Sequence, residues 1–138
     1  MGSILNPYIA FRDGKARAAA EFYQSVFGGE LVLNTFGDFG APGAESDKIM
    51  HAQLETPSGF TLMASDTPEG MEHRPGNNVS ISLSGDATDG LDGYFAQLAD
   101  GGTVTMPLEK QMWGDVFGMC VDRFGIAWMV NVADAPQA

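Results

Sequence analysis

Alternation of apolar and polar positions divides this chain into short strands separated by two helix-like stretches. In the first strand Ile9 and Phe11 fall on one side, and Tyr8 and Ala10 on the other. Val79, Ile81 and Leu83 alternate with Ser80, Ser82 and Ser84. Phe60 and Leu62 oppose Thr61, Met63 and Ser65, while Ile126, Trp128 and Val130 oppose Ala127, Met129 and Asn131. His51 falls with Gln53 and Glu55, opposite Ala52 and Leu54. Helical spacing of Ala19, Phe22, Tyr23, Val26 and Phe27 predicts a helix over 15–27. Leu91, Tyr94, Phe95 and Leu98 predict a second over 88–99. Strands are expected at 5–11, 30–36, 48–56, 59–64, 79–84, 102–106, 117–121 and 126–132.

The order of these elements repeats. The extended runs 6–14 and 78–86 are each followed by an aromatic pair, Phe22-Tyr23 and Tyr94-Phe95. Each helix then stops at a glycine pair, Gly28-Gly29 and Gly101-Gly102. Both halves close on a turn and a strand, at 59–63 and 125–129. The chain thus reads as βαβββ twice, an α+β arrangement within one domain spanning 1–138. Module 1 covers about 4–66, a turn-rich linker 67–77, and module 2 about 78–132. Residues 37–47 read as a long loop and 133–138 as a frayed tail. With the apolar strand faces buried against the helices, the opposite faces carry small, polar or flexible residues. Such faces suggest a cleft for a small molecule.

Composition narrows the partners. Seven Lys and Arg face eighteen Asp and Glu, a net charge of −11, which repels nucleic acid and anionic membrane surfaces. No stretch approaches the length of a membrane span. The N-terminus lacks the regions of a signal peptide, so a soluble, cytoplasmic protein is expected. Cys120 is the single cysteine, which excludes an internal disulfide and a Cys-rich zinc site.

An ordered set of segments resembles the vicinal oxygen chelate superfamily, which includes glyoxalase I, bleomycin-resistance proteins, fosfomycin-resistance enzymes and extradiol dioxygenases. The match looks closest to its PhnB-like branch. The segments are Pro7-Tyr8, Phe22-Tyr23 with Phe27-Gly28-Gly29, Leu62-Met-Ala-Ser-Asp66, Trp113-Gly114, Phe117-Gly118 and Asp122-Arg-Phe-Gly-Ile-Ala-Trp128. The resemblance implies two paired βαβββ modules forming a curved, open, barrel-like sheet with a cleft, usually within a homodimer. It also implies His or Glu ligands for a divalent metal on the first and last strands of each module. Mapped here, those positions are Tyr8, Met63, Ser80 and Met129. A thioether suits soft ions, and a neutral phenol or hydroxyl is a weak ligand, so the family's metal site is expected to be absent and no cofactor is predicted.

His51 is the candidate general acid or base, because its charge changes near neutral pH. Its repeat counterpart is Phe117. A metal built on His51 would need Asp66 or Glu55 to converge on it. The candidate ligand-binding set is Tyr8, Met63, Ser80, Trp113, Phe117 and Met129. Met50, Met112 and Met119 are read as core filling, His73 as a solvated turn residue, and Cys120 as a small buried hydrophobe. Methyl transfer has no support, because no Gly-rich nucleotide-binding turn follows a strand. Three readings stay open. One is metal-free binding of a neutral or cationic small molecule in the cleft. Another is a metal- or His51-dependent lyase, isomerase or dioxygenase. The third is a structural or regulatory dimer with a vestigial cleft.

Overall fold

The computed structural model of the chain describes residues 2–41 and 43–133. It divides into two compact units, Met1–Pro75 and Gly76–Ala138, with the boundary inside the expected linker. No helix among the described residues is long and apolar enough to cross a membrane.

In the first unit β1 (Tyr8–Phe11), α1 (Ala16–Phe27), β2 (Glu30–Thr35), β3 (Ile49–Glu55) and β4 (Thr61–Asp66) follow in chain order. The sheet runs β1-β4-β3-β2, with β1 parallel to β4 and the other pairs antiparallel. Two 3-10 turns, Gly37–Phe39 and Gly43–Glu45, lie within the expected loop. α1 buries Ala16, Ala19, Ala20, Tyr23, Val26 and Phe27. The three alanines allow its backbone close to the sheet, whose Phe11, Ala52, Leu54, Leu62 and Ala64 are buried. Phe22, which spacing places on the same stripe, is only half-buried. The apolar contact between these two layers is the main stabilising contribution, at about 25 cal/mol per Å² buried.

One residue breaks the alternation. Ile49 shares its parity with His51, yet only 1% of it is exposed. The register shifts between the pairs Asn34–His51 and Thr35–Ile49, so Met50 is bulged out of the ladder and Ile49 turns inward. The start of α1 has no local side-chain cap. Its first N–H, on Ala16, donates instead to Asp66 Oδ1 at 2.9 Å, and the Ile49 N–H donates to Asp66 Oδ2 at 2.8 Å. The buried Asp66 carboxylate therefore joins β4, α1 and β3.

The second unit repeats the plan with β5 (Ile81–Asp86), α2 (Leu91–Ala99), β6 (Thr103–Lys110), β7 (Val116–Val121) and β8 (Ala127–Ala133). Its sheet runs β5-β8-β7-β6, with β5 parallel to β8. α2 begins at Leu91 rather than 88, because Gly90 takes a left-handed backbone (φ 72°). The residues before it form a turn in which Asp89 Oδ2 accepts from the Asp86 N–H and Asp86 Oδ1 from the Thr88 N–H. The glycine pair ending each helix has a packing reason as well. A Cβ on Gly29 would collide with the Glu55 carbonyl, and one on Gly102 with that of Val121. β6 runs past the expected end at 106, through two register shifts. Ala133 ends β8, and the rest of the expected frayed tail lies outside the described residues.

Replacing Asp66 with Ala strands two buried N–H groups and is expected to cost about 3 kcal/mol of unfolding free energy. Urea-induced unfolding followed by circular dichroism measures it. A loss below about 1 kcal/mol would mean that α1 is held by something else.

Candidate functional site

In each unit the helix covers one sheet face, and the other face presents the candidate chemistry. On the first sheet the register sets a row across all four strands. Tyr8 stands opposite Met63, Met63 opposite Gln53, and Gln53 opposite Val32. His51 lies two residues from Gln53 on the same face. Its ring centroid is 5.8 Å from that of Tyr8, and its Nε2 is 3.4 Å from Gln53 Oε1. An amide oxygen accepts, so in this contact Nε2–H is the donor. Tyr8 is 54% exposed, while His51, Gln53 and Met63 are half-buried. The result is a partly desolvated patch with a phenol, an imidazole, an amide and a thioether.

Neither carboxylate that a His51 metal would need comes to it. Asp66 points to the helix side, where it is committed to Ala16 and Ile49. Glu55 lies at the far end of β3, opposite Glu30 and Thr61. Among the described residues, no group of three or more His, Cys, Asp or Glu gathers to hold a metal.

On the second sheet Met129 stands opposite Ser82 on β5 and Met119 on β7, and Met119 opposite Met106 on β6. Ser80 lies one residue before β5, on the face of Ser82, so Ser82 is the residue that pairs with Met129 as Tyr8 pairs with Met63. Phe117 occupies the next row, between Asn131 and Glu109. Trp113 sits in the turn before β7, which the Gln111 N–H closes by donating to the Asp115 carbonyl at 2.8 Å. Its ring is 60% exposed and lies 6.1 Å from Phe117, edge to face. Met119 belongs to this open face rather than to core filling, and Met112 is 99% exposed.

At the positions mapped from the resemblance, the first unit therefore carries a phenol and a thioether, Tyr8 and Met63, and the second a hydroxyl and a thioether, Ser82 and Met129. A hard or borderline divalent ion prefers carboxylate and imidazole, so these residues do not fit it.

His73 is not a solvated turn residue. Residues 67–73 fold back on the first unit, and His73 Nε2–H donates to the Ala10 carbonyl at 3.1 Å. His73 also lines a pocket of about 410 Å³ with Arg12, Asp13, Lys48 and Glu69. Lys48 pairs with Glu45 at 2.6 Å, and the Glu69 N–H donates to Glu45. The hydrogen bond from Lys48, then that from Glu69, holds the Glu45 carboxyl below its ordinary range. The long sequence gap between His73 and Ala10 left this contact without a local signal.

Comparison with known proteins agrees with the geometry. A family model described as the Glyoxalase/Bleomycin resistance protein/Dioxygenase superfamily matches residues 7–130. Protein PA1353 of Pseudomonas aeruginosa is 40% identical with a TM-score of 0.79, over 94% of this chain and 98% of its own. The PhnB protein of Bacillus cereus is 25% identical with a TM-score of 0.72, over 95% and 100%. Protein YjdN of Escherichia coli is 26% identical over 93% of this chain and 94% of its own length.

Cys120 faces the helix side and is 1% exposed. Burial pushes its thiol pKa up, and the Asp122 carboxylate adds to the rise. Its thiolate fraction at pH 8 is thus lower than that of a free thiol. Native protein should not react with Ellman's reagent at that pH, whereas urea-unfolded protein should release one thiol per chain. Rapid native labelling would contradict this burial.

Proposed function

The chain belongs to the Glyoxalase/Bleomycin resistance protein/Dioxygenase superfamily, and from that premise we propose that it binds a small organic molecule without a divalent metal. The observation that carries the reading is the pairing of Tyr8 with Met63 on the first sheet and of Ser82 with Met129 on the second, at the positions that the resemblance maps to metal ligands. On the first sheet, Tyr8 and Gln53 supply hydrogen bonds, His51 a titratable ring, and Met63 a deformable apolar contact. The second sheet carries a face of its own, where Phe117 and Trp113 supply aromatic surface and Met129 with Ser80 or Ser82 supplies the smaller contacts. The −11 charge favours neutral or cationic guests over anions. A homodimer is the assembly proposed for it.

A second reading is supported by the placement of His51. A half-buried imidazole beside a phenol and an amide is equipped to move a proton on a bound substrate. In this reading the protein is a metal-independent lyase or isomerase.

The test is ligand-observed NMR with neutral, cationic and anionic aromatic compounds, with and without Mn²⁺ or Zn²⁺. Neutral or cationic binders are expected to compete for one site without added metal. His51→Ala should weaken them roughly tenfold, a loss of about 1.4 kcal/mol. Binding only when the divalent ion is present would overturn the proposal, and conversion of a bound compound that His51→Ala abolishes would favour the second reading.

A further inference from the structure

We propose that the helix-averted face of the second sheet holds a soft monovalent cation, copper(I), through the thioethers of Met106, Met119 and Met129. These three residues stand directly opposite one another on β6, β7 and β8. Opposed residues carry their side chains on the same face, with Cβ atoms about 5 Å apart. Each thioether hangs on three rotatable bonds, so three sulfurs one strand apart can converge on a single ion. The alternate residues Gly118, Cys120, Trp128 and Val130 are buried, and β7 and β8 pack on α2.

The row is not a by-product of regular pairing. Thr103 stands opposite Val121 and Val104 opposite Cys120. Continued without a break, that register would put Thr105 opposite Met119. One register shift brings Met106 there instead, and a second follows before Glu109 meets Phe117. Bulges of this kind re-aim single side chains. The matching row of the first sheet, Val32, Gln53, Met63 and Tyr8, has regular pairing and one thioether. The trio is therefore a property of the second unit and not of the repeated plan.

The donor chemistry selects the ion. Neutral thioethers are poor ligands for magnesium, manganese or zinc and good ones for copper(I). Met106 is 40% exposed and Met119 and Met129 are half-buried, so an ion can reach the row and still be partly desolvated there. The acidic chain raises the local concentration of cations. The competing sulfur, Cys120, is on the opposite face and buried. The inference does not rest on the organic-ligand reading, and its test uses the metal alone.

The full chain, labelled at its methionine methyl groups, is titrated anaerobically with silver(I) as a redox-inert stand-in. Copper(I) affinity is then measured against bicinchoninate. One equivalent of silver is expected to shift the methyl signals of Met106, Met119 and Met129 together, leaving that of Met71 in place. Met106→Leu and Met129→Leu, which keep the side-chain volume, should each lower copper(I) affinity by roughly tenfold or more. Cys120→Ala should leave it unchanged. The proposal is overturned if the three methyl signals stay unmoved in the parent protein, if the leucine variants bind as tightly, or if Cys120→Ala abolishes binding.

Discussion

The carboxylate of Asp66 is the last residue of β4, stands opposite the end of β1, and accepts the first N–H of both α1 and β3. A buried carboxylate is costly unless its oxygens are bonded, and here each has a backbone donor within 2.9 Å. It thereby assigns α1 to one face of the first sheet. The opposite face is left for Tyr8, His51, Gln53 and Met63, so the candidate chemistry of the first unit depends on it. The second unit reaches the same layering differently. Val132 stands opposite Gly85 where Asp66 stands opposite Phe11. The buried carboxylate has moved to Asp122, which accepts from the Trp128 indole and from the N–H groups of Phe124 and Ile126. Two copies of one plan are thus held by different polar centres.

That difference extends to the open faces. The first is a hydrogen-bonding surface, with an imidazole whose polar neighbours are a phenol and an amide. The second is soft and aromatic, with three aligned methionines beside Phe117 and Trp113. Neither offers the carboxylate and imidazole set that holds a hard divalent ion in metal-dependent members of the superfamily. A shared ancestry of fold does not carry the chemistry with it; the residues at the site do.

Period-two alternation was enough to assign the faces of β1, β4, β5 and β8, and helical spacing found both helices, because burial against one layer imposes those periods directly. It failed where the backbone departs from regularity. Ile49 turned inward through a bulge at Met50, and Met106 came opposite Met119 through another. Neither shift leaves a mark in apolar spacing. α2 starts at Leu91 rather than 88 because Asp86 and Asp89 organise a turn ahead of it, which apolar spacing does not mark. Ser80 and Ser82 share a face, so parity alone did not decide which one pairs with Met129; the parallel register did. His73 and Asp66 act on residues far along the chain, and only the folded structure brings them there.

We propose that Tyr8 and Met63 in the first unit, and Ser82 and Met129 in the second, are unsuited to hold a divalent ion. Elemental analysis by inductively coupled plasma mass spectrometry, on protein purified without chelators, tests it most directly. Manganese, iron, nickel and zinc are each expected well below one ion per chain. A full equivalent of any of them, retained through gel filtration, would contradict it.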